Sequence, residues 1–136
     1  MTRAMALSCC LFAAATPARA AEASEAAALQ AAEAWLKLID TGQYGASWDG
    51  ASSSFRKAVS RSTWEKKAAA AREPLGKVLE RKVSSQELTH ELPGAPDGTY
   101  VLLIFDTRFE HKERGHETVI MTLDGGRFRA ASYFIR

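Results

Sequence analysis

The feature that most constrains this chain is a change of hydrophobic period at Gly76. Upstream of it, apolar residues recur every third or fourth position, and downstream they alternate; these are the periods of a helix face and of a strand face. Helices first and strands after them, with no return to a helical period, is the pattern of an α+β fold. The sheet is then an antiparallel meander of four strands, because no crossover helices separate the strand-like runs.

In the helical half, Leu29, Ala32, Trp35, Leu36 and Ile39 make one stripe on a helix predicted over 22–41, with Gly42 as its stop. Tyr44 and Trp48 sit four apart on a short second segment. A Gly/Ser-rich stretch over 50–54 interrupts it before Phe55, Ala58 and Val59. Ser62-Thr63-Trp64-Glu65 has the form of a capping box and predicts a helix start. That helix ends near Pro74, since proline forces its predecessor out of the helical region.

In the strand half, 77–92 reads as a long polar strand, 93–98 as turn chemistry, 100–109 as the most strand-like run, 117–123 as a third strand and 127–136 as a fourth. Asp124-Gly125-Gly126 offers the positive φ angles of a tight hairpin. An unbroken register from that turn sets Val119, Met121 and Leu123 beside Phe128, Ala130 and Phe134. It sets Thr118 and Ile120 beside Arg129, Ala131 and Tyr133. Both faces of the 100–109 strand begin apolar, so helices cover one face and a second copy of the chain is one way to cover the other, giving a homodimer through the sheet.

The first twenty residues read as an address. Arg3 is a short positive region, 4–16 an apolar run, and Ala18-Arg19-Ala20 has the small-x-small form that signal peptidase reads, so cleavage is expected after Ala20. Residues 1–20 are then a signal peptide and 21–136 a single domain, periplasmic or secreted. Removing 20 of the 136 residues leaves 116, enough for a core without staples. Arg3 and Arg19 leave with the leader, so the 18 basic residues fall to 16 and match the 16 acidic ones. With no net charge and no basic stripe among aromatics, nucleic acid is excluded as an expected partner. Cys9 and Cys10, the only cysteines, also leave, which removes disulfides and thiol chemistry. No apolar run reaches the roughly 18 residues of a membrane span, so an integral membrane protein is not expected.

Several motifs resemble, in order, a family of exported bacterial proteins of unknown function. They are Ala34-Trp35-Leu36, Asp40-Thr41-Gly42-Gln43-Tyr44 with Ser47-Trp48, Pro74-Leu75-Gly76 before Arg81-Lys82-Val83, Leu92-Pro93-Gly94-Ala95-Pro96-Asp97-Gly98 leading into Tyr100-Val101, Phe105-Asp106-Thr107, Glu117-Thr118-Val119 and Tyr133-Phe134-Ile135. The resemblance implies a nuclear transport factor-like, or cystatin-like, cone, in which N-terminal helices pack into the hollow of a curved four-stranded antiparallel sheet. It brings no catalytic residues with it.

Candidate site residues therefore come from the expected strand faces. Asp106 and Arg108 end an apolar face where a cavity mouth is expected; a dry carboxylate there is a general base, and a guanidinium holds an anionic oxygen. The plainer reading of the two is a rim ion pair. Tyr133 lies on the mixed face beside Thr118, and Trp48 ends a short helix next to a Gly/Ser loop. Trp35, Trp64 and Tyr44 read as core aromatics. His111 and His116, flanking a charged turn, match no zinc spacing. Neither a phosphate loop nor a G-x-S-x-G elbow occurs, so no metal or cofactor is expected. The function expected is non-catalytic binding of a small ligand or a protein partner. The alternative is a cofactor-free isomerase or dehydratase using Asp106 with Tyr133 or Arg108.

Overall fold

Helical period up to Gly76 and strand period after it become two layers. The computed structural model describes residues 14–136, and the expected leader, 1–20, with Cys9 and Cys10, lies largely outside them. The order is α1 (Pro17–Asp40), α2 (Tyr44–Asp49), α3 (Ser53–Ala58), α4 (Arg61–Arg72), a 3-10 turn (Glu73–Leu75), β1 (Val78–Thr89), β2 (Tyr100–Phe109), β3 (Lys112–Asp124) and β4 (Arg127–Ile135). The strands form one antiparallel sheet in the order β1-β2-β3-β4, with the helices on one face. Among the described residues, no helix is long and apolar enough to cross a membrane.

α1 buries Ala28, Ala32, Trp35, Leu36 and Ile39, and Gly42, at φ 74°, turns the chain out of it. It starts at Pro17, five residues earlier than the pattern predicts, but none of its residues before Ala28 is buried. α4 starts earlier than expected too. Its cap is Ser60, whose hydroxyl accepts from the Thr63 amide, and Glu65 pairs with Arg61 instead of closing a box on Ser62. Trp35, Phe55 and Trp64 pack against the Val101, Leu103, Phe105, Val119 and Met121 face of the sheet. Full burial of each large apolar side chain contributes roughly 1.5–3 kcal/mol. The polar ends of these two indoles are satisfied by one buried serine: Trp35 Nε1 donates to the Ser47 carbonyl (2.8 Å) and Trp64 Nε1 to Ser47 Oγ (2.9 Å).

The hairpin Asp124-Gly125-Gly126-Arg127 forms as expected, with both glycines at positive φ. Asp124 accepts from the Ser53 amide at 2.7 Å, a bond that ties the turn to α3 and holds the carboxyl below its ordinary 3.8. Two expectations fail in the sheet. The segment 112–115 is strand, not turn; the chain reverses at Glu110 and His111 instead. The register of β4 is broken by a bulge: Met121 pairs with Ala130 but Ile120 pairs with Ser132, leaving Ala131 as the extra residue. Every later residue changes face. Tyr133 comes to lie opposite Val119 on the helix-covered face, and Phe134 opposite Thr118 on the outer one. The bulge leaves the Ala130 carbonyl free to accept from the Ser52 amide at 2.9 Å, where α3 docks.

Candidate functional site

The helix-covered face carries a polar cluster to which each long element sends one side chain. Asp40 comes from the last turn of α1, Arg72 from the last turn of α4, Arg81 from β1, Thr107 from β2, Glu117 from β3 and Tyr133 from β4. Glu117, wholly buried, is at its centre. Its Oε1 accepts from Arg81 Nε (2.8 Å) and Thr107 Oγ1 (2.6 Å), and its Oε2 accepts from the Tyr133 hydroxyl. Arg81 continues outward as a fork, Nη1 and Nη2 donating to the two oxygens of Asp40 at 2.7 and 2.9 Å. Arg72 Nη2 reaches Asp40 at 3.2 Å, and its guanidinium lies 4.6 Å from the centre of the Phe109 ring.

Two cations face two carboxylates, so the cluster is neutral as a whole, as a buried charge group must be. Burial works against the Arg81 charge, but hydrogen bonds to Asp40 and Glu117 outweigh it and raise the pKa. Burial, followed by the Glu117 charge and hydrogen bond, holds the Tyr133 phenol well above its ordinary 10.0 and keeps it neutral. Three donors occupy three of the roughly four acceptor sites of the Glu117 carboxylate, and the Tyr133 hydroxyl stands on the oxygen that keeps the fourth.

Of the residues singled out from sequence, Asp106 and Arg108 share the outer face, whereas Tyr133 and Trp48 lie elsewhere. Asp106 pairs across the strands with His116 and Lys82 on the outer face, opposite to Tyr133, so these two cannot share a substrate. Its partner is His116, whose Nδ1 lies 2.8 Å from Oδ1, and both side chains are more than half exposed. Arg108 lies on the same outer face, half-buried and without an ion pair among the described residues. Trp48 is half-buried and donates to the Val59 carbonyl at 2.8 Å, which makes it a clamp between α2 and the chain after α3. Asp106 and Arg108 line one groove of about 470 Å³. A smaller hollow of about 340 Å³ lies outside the buried cluster, between Asp40, Arg72, Tyr44 and Glu110. Among the described residues no group of three or more His, Cys, Asp or Glu side chains could hold a metal.

Glu117, Thr107, Arg81, Asp40 and Arg72 are not among the candidate site residues of the sequence, although all but Arg72 stand in the motifs that carry the resemblance and parity marks two of them. Thr107 continues the Leu103 and Phe105 face, and Glu117 the Val119 and Met121 face, so both point inward by alternation alone. Arg81 could not be placed that way, since β1 has register shifts on either side of it.

The family model DUF4019, described as a protein of unknown function, matches residues 31–133. The chain belongs to this family. The DUF4019 match begins inside α1 and takes in Asp40, Arg72, Arg81, Thr107, Glu117 and Tyr133, so the whole cluster lies within the family region. No curated protein and no solved structure matches the chain.

Proposed function

We propose that this DUF4019 protein is an exported, non-catalytic interaction domain with a nuclear transport factor-like cone, which acts as a homodimer through the outer face of its sheet. The observation that carries the reading is an uncovered apolar patch. Leu102 pairs with Ile120, and Ile104 with Thr118, which pairs in turn with Phe134; all project away from the helices, and Phe134 is 39% exposed. Four strands about 4.8 Å apart and ten residues of about 3.3 Å give a face of roughly 600 Å² in projection. That is the order of the ~800 Å² each partner contributes to a standard interface. A second copy suits this face because the charges around the patch are of both signs, Glu87 opposite Leu102 and Arg136 over the Phe134 ring, beside the paired Asp106–His116 and Lys82–Glu80, so the face asks for no partner of one opposite charge.

Export rests on the leader pattern, and it agrees with α1, where none of the described residues through Ala20 is buried. The enzyme reading has one observation in its favour, the meeting of Glu117 and Tyr133. Against it weighs the occupation of the carboxylate by three donors.

The test is sedimentation of the protein recovered from the periplasm. A dimer is expected, with Ile104→Glu monomeric and its circular dichroism unchanged; a monomeric parent protein overturns the reading. Intact mass should give a chain that begins at Ala21.

A further inference from the structure

We propose that the two copies of the outer-face dimer pack with β1 of one over β4 of the other, so that Glu87 of each chain is held by Arg129 and Arg136 of the partner subunit. That orientation rests on the homodimer read above. Strand pairing sets the outer face out in rows. One row runs Glu87, Leu102, Ile120, Ser132 from β1 to β4, and the next runs Ser85, Ile104, Thr118, Phe134. A step between rows is two residues, about 6.6 Å. Arg129, opposite Thr122, lies one step from Ser132 on one side. On the other side the Arg136 guanidinium lies 5.3 Å from the centre of the Phe134 ring.

The apolar patch centres on β2 and β3, whereas the charge beside it is split between the two edges. Glu87 stands on β1 and the two arginines at the β4 edge, and none of the three has an ion pair within its own chain among the described residues. The carboxylate that Arg129 does feel, Asp124, is bound to the Ser53 amide. The face is therefore acidic on one side of the patch and basic on the other.

A copy related by a two-fold axis can meet this face in two ways with the strands aligned. An axis across the strands, between the two rows, stacks β1 on β1 and β4 on β4. Glu87 then stands beside Glu87 of the partner subunit, and the Arg136 guanidinium beside Arg136 of the partner subunit; both contacts repel. An axis along the strands, between β2 and β3, stacks β2 on β3 and β1 on β4. Leu102 meets Ile120 of the partner subunit, and each Glu87 comes over Ser132 of the partner subunit, between two guanidiniums. Facing sheets lie about 10 Å apart, a gap that a glutamate and an arginine reaching from opposite sides span. Lys82, carried toward the Arg136 backbone of the partner subunit by the same stacking, is held by Glu80 at 3.1 Å, and Arg136 turns from it toward Phe134.

The experiment is sedimentation equilibrium of charge variants at low ionic strength, where exposed charges are least screened. Glu87→Gln should weaken the dimer severalfold and Glu87→Arg by about tenfold. Circular dichroism should not change, since Glu87 is exposed. Adding Arg136→Glu to Glu87→Arg should recover most of the lost affinity. The two axes differ in sign: with β1 over β1, Glu87→Gln removes a repulsion and tightens the dimer. A dimeric parent that tightens in Glu87→Gln, or that is indifferent to both Glu87 variants, overturns the orientation and leaves the dimer standing. A monomeric parent overturns both.

Discussion

The two faces of one sheet treat charge in opposite ways. On the helix-covered face, Asp40, Arg72, Arg81 and Glu117 form a balanced group in which Glu117 is wholly buried and Arg81 is 15% exposed. On the outer face Asp106 and His116 pair at a similar distance, yet each stays more than half exposed. Coulomb attraction is similar at equal spacing in equal surroundings; the solvent is what differs. A carboxylate removed from water must keep its partners or destabilise the fold, and one left in water can lose them at little cost. The face on which a charge stands is therefore a better guide to what its removal does than the length of its hydrogen bond.

The sharpest way to break that comparison is Glu117→Ala, which leaves Arg81 and Arg72 sharing the single carboxylate of Asp40 and frees the Thr107 and Tyr133 hydroxyls in a dry interior. A loss of about 3–5 kcal/mol is expected by urea unfolding. A loss under about 1 kcal/mol would mean that water reaches the cluster. Tyr133→Phe is milder, because only one acceptor site on Glu117 goes unfilled, and about 1–3 kcal/mol is expected. It also carries a pH signature. An unfolded phenol loses its proton near 10.0 while the folded one keeps it, so the folded state binds more protons above that pH and its stability falls as pH rises past 10.0. Unfolding free energies between about pH 8 and about pH 11 should decline more steeply in the parent than in Tyr133→Phe. The smallest effect belongs to Asp106→Asn, less than about 1 kcal/mol for an exposed pair, measured by the same denaturation curves. A larger loss would show that the second copy reaches the Asp106 end of the outer face, beyond the patch around Leu102 and Ile120.

Much of this architecture is legible without coordinates because it rests on local chemistry. The 3.6-residue stripe of α1, the strand 100–109 and the two glycines of the last hairpin all form where periodicity and φ preferences place them. The cluster was hidden for a different reason. It joins Asp40 to Arg81 and Arg81 to Glu117 across 41 and 36 positions, and the matching side chains meet only once the bulges of β1 and β4 have set their registers. A bulge depends on the tertiary fit of a strand, and nothing in Arg129-Ala130-Ala131-Ser132 announces one. Asp106 drew notice as a charge ending an apolar run, but Thr107, one residue on, takes the inward place.

The extra residue at Ala131 bears on how relatives should be aligned. Tyr133 lies seven positions beyond Gly126 only because β4 has one residue that β3 does not match. A relative without that residue would need its phenol six positions beyond the turn to reach the same carboxylate. In an ungapped alignment such a tyrosine stands against Ser132, and the one side chain the two proteins share at their centre looks like a difference between them.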